Sequence, residues 1–350
     1  MFALPEDGGH VLRCRCSGCS ADGNAPALLA VYSALWEVEP DTAMRVMRED
    51  GLDDPSGETA SPNDPYIKDE LALAALLAGW YADRADGVRS TLLAPLEAPT
   101  FDQTAFSAAL TQAAAHMGDV VGTAEEAQVR TAIDTVLSNG ARSVPGGHGA
   151  PTGVPQHAAG AQVAEDTILE DAPSALKVLD GITAATKYYS NRYFNDVVVP
   201  GIQQQVSNFL LDGTKPDMTA IRAALDRRLK SVPYWRVVAN AAASRGYHYG
   251  YGKAGQMVGA KSYRLVAVVD DRTSQICLAL DGRVFHLADA VNLMERAAQA
   301  ENPAAVKSIM PWPKSAANLD QMTNDELRDK GYLVPPFHGN CRTTIELIFN

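Results

Sequence analysis

The sequence has no apolar run long enough to cross a bilayer, and its first residues lack the features of a secretory signal. The nearest approach to a span is Leu71 to Trp80, well short of the roughly 20 residues that a membrane helix needs. The segment Met1 to Asp7 has neither a basic region nor a long apolar core. We therefore expect no membrane contact, and a protein that stays in the cytoplasm or is packaged into a particle there.

Cysteine is scarce, with five residues in a chain of 350. Three lie close together near the start (Cys14, Cys16 and Cys19), and two lie far downstream (Cys277 and Cys341). An odd number of cysteines in a chain without an export signal argues against a framework of disulfides. Reduced thiols or metal ligands are the better interpretation.

The familiar catalytic signatures are also missing. The chain has no phosphate-binding loop, no His-Glu-x-x-His pair and no Gly-x-Ser-x-Gly elbow. The segment from Gly250 to Gly255 is rich in glycine, but it does not follow a predicted strand, so it does not indicate a nucleotide site. We expect a protein that is not an enzyme.

What is present is enough apolar material for real cores. The chain is 46% hydrophobic with a net charge of −12, and its length suggests two or three domains. We predict an α+β protein with mostly helical N-terminal and middle regions and a small C-terminal α+β domain. The predicted parts are an N-terminal arm (1–25), an acidic helical region (26–140), a Gly/Pro linker (141–160), a second helical region (161–262) and the C-terminal domain (263–350).

The N-terminal arm gathers His10, Cys14, Cys16 and Cys19 within ten residues. Zinc takes four such ligands in a tetrahedron, and closely spaced cysteines on a glycine-rich knuckle can supply them. The spacing matches no standard zinc finger. The alternative is a flexible arm whose thiols are incidental.

The second helical region carries a segment of unusual charge. Residues 222–264 are rich in arginine, lysine and tyrosine and hold a single acid, Asp226. Basic side chains neutralise phosphates and aromatic rings stack on bases, so the segment is a candidate DNA-binding surface. Its candidate residues are Arg227, Arg228, Lys230, Arg236, Arg245, Lys253 and Lys261. The alternative is a solvated helix face followed by a Gly/Tyr loop from Gly246 to Gly252. Upstream, we expect Pro200-Gly201 to break the helical pattern of Val197 to Leu211.

Two short polar segments stand out near the C-terminus. The first follows a predicted buried strand, Leu265 to Val269, where Thr273 or Ser274 can cap a short helix that carries Cys277. In the second, Gly339-Asn340 suits a tight turn that would bring His338 and Cys341 side by side. Arg342 then leads into a terminal strand from Thr343 to Phe349. Together the two segments would staple the last strand to the first.

Three interpretations of these side chains remain open. In the first, Cys277, His338 and Cys341 bind zinc, with Asp271 or His286 as the remaining ligand. In the second, a metal-free buried network holds the segments together: Asp270, Asp271, Thr273 and Arg342 belong to it, Asp271 binds Arg342 through two hydrogen bonds, and His338 bonds a backbone carbonyl. In the third, Cys277 is a nucleophile activated by His338.

The same segments resemble a known family. The first reads Asp-Arg-Thr-Ser-x-x-Cys from Asp271 and continues to Leu280-Asp-Gly, and the second reads Pro-Pro-Phe-His-x-Asn-Cys-Arg from Pro335. In this order they resemble the C-terminal domain of phage minor head proteins, the Mu protein F-like and SPP1 gene-product-7-like head morphogenesis group. The resemblance covers about the last quarter of the chain.

The resemblance implies a minor head protein inside the capsid near the portal, which acts in head morphogenesis and in DNA packaging or ejection. Its implied partners are the portal protein, capsid or scaffold proteins and viral double-stranded DNA. The alternative is a metal- or cysteine-dependent hydrolase or nuclease, or an effector delivered with the phage genome. Zinc is the one cofactor that the residues suggest.

Overall fold

The computed structural model describes residues 65–98, 100–145, 172–211, 218–229, 232–270 and 273–349. The predicted α+β class is confirmed, because the described chain is mostly helical with one small antiparallel sheet near the C-terminus. In chain order the elements are α1 (Ile67–Leu93), α2 (Gln103–Met117), α3 (Thr123–Arg142), α4 (Ala172–Tyr193), α5 (Val199–Leu211), α6 (Met218–Leu229), α7 (Val232–Met257), β1 (Ser262–Val266), α8 (Gln275–Leu280), β2 (Val284–His286), α9 (Leu287–Ala298), α10 (Val306–Ile309), α11 (Asn324–Asp329) and β3 (Thr344–Ile348).

Helix α7 is the central element. It packs against α1, α3, α4 and α9, and nearly all of its described residues are buried. A helix surrounded by protein needs no polar face, which explains why α7 shows no amphipathic pattern. Small residues let its neighbours approach closely. A Cβ atom added to Gly250 would lie 2.0 Å from the carbonyl oxygen of Leu137 on α3, and one on Gly140 would lie 2.2 Å from that of Tyr247.

The prediction of a Gly/Tyr loop from Gly246 to Gly252 is wrong, because this stretch lies inside α7. Glycine weakens an isolated helix, but here the glycines sit where α3 comes nearest. The tyrosines between them are buried, and the rings of Tyr247 and Tyr251 stack with centroids 5.9 Å apart. Tertiary packing therefore overrides the local preference for a turn.

Pro200-Gly201 does not break the helical path either, so that expectation is also wrong. A π-helical turn, Phe194–Val198, joins α4 to α5, and Pro200 follows it in the first turn of α5. Proline normally clashes with the carbonyl four residues earlier. That residue, Asp196, lies within the π-turn, where the backbone is already wound differently.

The sheet has the strand order β2-β1-β3, with both pairs antiparallel. Tyr263 on β1 faces Leu347 on β3 and Phe285 on β2, and its hydroxyl donates a hydrogen bond to the carbonyl of Leu333 at 2.6 Å. The last strand therefore does pair with the first. However, β1 begins and ends three residues before the predicted Leu265 to Val269, and Val269 is exposed.

Several predictions fall outside the described residues. These are the N-terminal arm with His10, Cys14, Cys16 and Cys19, the helices before residue 65, most of the Gly/Pro linker, and Asp271. The domain boundaries stay predictions as well. Within the described ranges, none of the helices has both the length and the hydropathy that a bilayer span requires.

Candidate functional site

The two C-terminal motifs meet in one buried group, which we call the Cys/His cluster: Cys277, His338 and Cys341. The Sγ atom of Cys277 lies 3.0 Å from Nε2 of His338 and 3.7 Å from Sγ of Cys341. None of the three side chains is more than 5% exposed. Residues more than sixty positions apart in sequence are thus in direct contact.

Helix α8 positions Cys277. Ser274 is its N-cap, as predicted, and the Ser274 hydroxyl accepts a hydrogen bond from the Cys277 backbone N–H at 3.1 Å. The same hydroxyl oxygen lies 2.8 Å from Nε2 of His338. One capping residue therefore fixes the start of the helix and also contacts the histidine of the other motif.

A tight turn positions His338 and Cys341. Asn340 adopts a φ of 52°, a conformation that asparagine tolerates better than most residues. Nδ1 of His338 lies 2.8 Å from the carbonyl oxygen of Gly339, so this nitrogen carries the proton and donates it to that carbonyl. The lone pair on Nε2 then faces Cys277 and Ser274. A metal-ligating histidine typically makes the same backbone contact through its second nitrogen.

The two thiols differ in acidity. The contact with Cys341 and burial both raise the pKa of the Cys277 thiol well above its ordinary value. Burial also acts to raise the pKa of Cys341, but the hydrogen bond from Cys277 and the nearby His338 outweigh it and hold that pKa well below its usual range.

The cluster can hold a metal ion, since its three ligand atoms all lie within 4.8 Å of one another. With Zn–S bonds of about 2.3 Å, two sulfur ligands of a tetrahedral zinc lie about 3.8 Å apart. The observed Sγ–Sγ distance of 3.7 Å fits that value. The Nε2–Sγ distance of 3.0 Å is shorter than the roughly 3.6 Å of such a site, so the imidazole would move back slightly on binding.

Neither predicted additional ligand joins this group among the residues that the structure describes. His286 is exposed at the end of β2 and is not part of the cluster. Asp271 lies outside the described residues. The described part of the chain thus supplies three ligands, which leaves one position of a tetrahedron for Asp271, a water molecule or a substrate.

An ion pair closes the same junction from the solvent side. Both terminal nitrogens of Arg342 donate to the carboxylate of Asp270, each at 2.7 Å. The prediction gave this role to Asp271, which lies outside the described residues, and the structure shows Asp270 in it. The reason lies in Thr273, whose hydroxyl accepts from the Asp270 backbone N–H at 2.7 Å and donates to the Val268 carbonyl at 2.6 Å. This turn holds Asp270 in place beside Arg342.

Sequence reasoning missed the residues that tie the cluster to the helical body. The carbonyl oxygen of Cys341 accepts hydrogen bonds from the Tyr66 hydroxyl at 3.2 Å and from Nδ2 of Asn240 on α7 at 3.3 Å. Asn240 also donates to the carboxylate of Glu70 on α1 at 2.8 Å. The sequence did offer one signal, since Asn240 is a polar residue in an alanine-rich stretch. A buried polar group usually has a hydrogen-bond partner, so such a residue indicates a contact with another element.

The candidate DNA-binding residues whose side chains the structure describes do not form a common basic face. Arg236 lies near Glu70, with 3.7 Å between charged atoms, and Lys253 pairs with Glu295 at 3.1 Å. Arg245 is half-buried between helices, with its Nε atom cut off from solvent. Of this set, only Lys261 is described and exposed. The side chains of Arg227 and Arg228, and the whole of Lys230, lie outside the described part. DNA contact by those residues stays a prediction.

The fold and site thus define a helical protein with a small sheet that is closed by a buried Cys/His cluster. Compared with known proteins, the chain matches no family model, no curated protein and no solved structure.

Proposed function

We propose that this protein is a minor head protein of a phage, located inside the capsid near the portal, where it acts in head morphogenesis and in DNA packaging or ejection. The proposal starts from the resemblance of the two C-terminal motifs to the Mu protein F-like group. It also assigns the portal protein, capsid or scaffold proteins and packaged DNA as partners.

One observation supports treating the two motifs as a single unit. The contacts at the junction join the first motif to the second: Ser274 to His338, Cys277 to His338 and to Cys341, and neighbouring Asp270 to Arg342. A chance likeness of two short segments would not require them to meet. Their contact is what a shared structural role of the motif residues would produce.

The fold gives this junction a mechanical role. The Cys/His cluster holds α8 and the turn before β3 together, and the carbonyl of Cys341 is bound by groups from the helical body. Buried polar groups that are hydrogen-bonded to one another favour one arrangement of packed elements over others. The cluster therefore keeps the C-terminal sheet in a fixed position on α7, as an assembly component with a defined binding surface needs.

Association with assembling heads tests this function. The full chain, tagged and expressed during infection by the phage that encodes it, should copurify with the portal protein and remain in DNA-filled heads. Absence from purified heads would contradict the proposal. A Cys277→Ala/Cys341→Ala variant serves as the comparison, and we expect its incorporation to fall because the junction is weakened.

We also propose that the cluster binds a metal ion and that this ion is zinc. Two thiolates and an imidazole are ligands that zinc prefers, and the two sulfur atoms already lie 3.7 Å apart, close to their separation in a tetrahedral zinc site. When bound, zinc would link α8 to the turn that carries His338. Addition of a strong chelator should then lower the melting temperature of the wild type and leave that of the Cys277→Ala/Cys341→Ala variant unchanged. Equal responses would contradict zinc at this position.

A cysteine-dependent hydrolase is the second candidate, because the 3.0 Å contact between Cys277 and His338 has the geometry of a nucleophile and its base. Two observations favour the structural role. The Cys277 thiol is only 4% exposed, and its raised pKa opposes the thiolate form that a nucleophile needs. Hydrolysis of DNA or peptide substrates that is lost in Cys277→Ala would reverse this preference.

A further inference from the structure

Cys277 and Cys341 are placed so that their sulfur atoms can join covalently. The two Sγ atoms lie 3.7 Å apart, and both cysteines are free and buried. An S–S bond is about 2.05 Å long, so each sulfur needs to move by less than about 1 Å to form one. The two cysteines are 64 positions apart in sequence, so only the folded chain brings them into contact.

The backbone around each sulfur is held by contacts outside the pair. Cys277 lies in the first turn of α8, where the Ser274 hydroxyl accepts from its backbone N–H. The carbonyl of Cys341 accepts hydrogen bonds from Tyr66 and Asn240. These contacts keep the two sulfur atoms together and leave their final approach to the side chains.

Burial limits which oxidants reach the pair. Cys277 is 4% exposed and Cys341 is 0% exposed. A protein thiol or an oxidised glutathione molecule is too bulky to reach such sulfur atoms in the folded chain, whereas hydrogen peroxide is close to water in size. A sulfenic acid formed on either cysteine already contacts the other sulfur, which favours a disulfide over further oxidation.

We propose that hydrogen peroxide converts Cys277 and Cys341 into a reversible disulfide within the chain, and that this disulfide excludes a metal ion from the cluster. In the first step, one sulfur attacks the peroxide, the O–O bond breaks, and a sulfenic acid and a water molecule form. In the second step, the other sulfur attacks the sulfenic sulfur, so that the S–S bond forms and the S–O bond breaks. The hydroxide that leaves takes up the remaining thiol proton as a second water molecule. The two thiols lose two electrons, and the peroxide gains them.

The disulfide and the metal ion are alternatives at this site. Zinc binds cysteine as thiolate, so the disulfide removes two of the three ligands and leaves only His338. Zinc held by both sulfur atoms should in turn slow their oxidation. Only this competition rests on the zinc binding proposed above, because disulfide formation needs the metal-free folded chain alone.

Thiol counting on the full chain tests the disulfide, in the Cys14→Ser/Cys16→Ser/Cys19→Ser background so that two thiols remain. Metal-free protein is treated with hydrogen peroxide, then with catalase, and is unfolded and alkylated with N-ethylmaleimide. Intact mass should show two alkylated thiols before peroxide, none after it, and two again when dithiothreitol precedes alkylation. Oxidised methionine adds oxygen but leaves this count unchanged. The matched control is Cys277→Ser, which should give no cross-linked peptide within the chain.

Peptide mapping decides the outcome, since the cross-linked peptides should join Cys277 to Cys341. Two thiols that survive prolonged treatment, or sulfinic acid at both cysteines without a cross-link, would overturn the proposal. Should the triple serine variant not fold, the natural chain is mapped instead, and a bond from Cys277 or Cys341 to an N-terminal cysteine would contradict it.

The competition with metal has its own measurement. Zinc added before peroxide should slow the loss of both thiols, and oxidised protein should bind no zinc until dithiothreitol is added. Equal rates with and without zinc would overturn the competition but not the disulfide. Native mass spectrometry of the same samples would then show whether the reduced chain binds zinc at all.

Discussion

His248 is a fully buried imidazole on α7 whose Nε2 atom has no hydrogen-bond partner, while its Nδ1 lies 3.2 Å from the Ser244 hydroxyl. The ring packs edge-on against Tyr66 with centroids 5.7 Å apart. Tyr247 contacts it from the same helix, and the backbone of Ser244 and the nearby Cys341 favour its protonation. Burial dominates and lowers the pKa of His248 from 6.5 to about 4.

This shift predicts a loss of stability in mild acid. The unfolded chain binds a proton on His248 below pH 6.5, whereas the folded protein does so only below about pH 4. The contribution of the neutral imidazole is therefore complete above pH 6.5 and disappears as the pH falls to 4. From the size of the shift, the free energy of unfolding should fall by about 3 kcal/mol over this window. Denaturant titrations at several pH values would measure it.

A His248→Gln variant should lack most of this pH dependence between pH 7 and pH 4, even if it is less stable throughout. The matched control is His286→Gln, which removes an exposed histidine at the end of β2 and should keep the wild-type slope. An unchanged slope in His248→Gln would show that other groups cause the acid sensitivity.

The carbonyl of Cys341 supports a second prediction at this scale. Tyr66→Phe removes one of its two donors and should lower the free energy of unfolding by about 1 kcal/mol. Asn240→Ala removes the other donor and also removes the hydrogen bond from Asn240 to Glu70. We therefore expect it to lower the free energy of unfolding by more than Tyr66→Phe does. The double variant should lose more than the sum, because the carbonyl is then buried without any partner. Strict additivity in a double-mutant cycle would contradict this shared role.

At the scale of single elements, the crossing of α3 and α7 depends on glycine. Gly250→Ala would place a methyl group 2.0 Å from the backbone carbonyl of Leu137, where no flexible side chain can move aside. We expect a loss of about 3 kcal/mol or more in the free energy of unfolding, typical of overpacking at a site that cannot relax.

The matched control for this crossing is Gly87→Ala on α1. Gly87 is exposed, and an added Cβ atom would meet nothing within 4 Å. Alanine should therefore stabilise α1 by up to about 1 kcal/mol through its higher helix propensity. If Gly250→Ala and Gly87→Ala had similar free energies of unfolding, the crossing of α3 and α7 would not depend on glycine at position 250. Urea unfolding followed by circular dichroism measures both.

The same elements show what the sequence can predict. The start of α8 was predictable because its rule is local: Ser274 caps the helix through its side-chain oxygen. The helical structure of Gly246 to Gly252 could not be predicted from the sequence, because it depends on α3 packing against this stretch. The pairing of Asp270 with Arg342 was missed because it depends on the turn at Thr273, which holds Asp270 in place.

At the scale of the whole molecule, the helical body and the C-terminal sheet share one continuous core. Buried residues of α1, α3, α7, β1, α9 and β3 belong to the same apolar cluster. The sequence predicted the contact between the two motifs, but it did not indicate that Tyr66 and Asn240 would join that contact to the helical body. Such long-range partners are set by topology, which one sequence does not reveal.

The Cys/His cluster joins the two C-terminal motifs, and native mass spectrometry of the full chain is the most direct test of whether it binds a metal ion. The background should be Cys14→Ser/Cys16→Ser/Cys19→Ser, so that the N-terminal cysteines cannot contribute to the metal count. In this background we predict one zinc ion per folded chain, which is lost when Cys277→Ser and Cys341→Ser are added. A folded chain that carries no metal before those two changes are made would contradict the account.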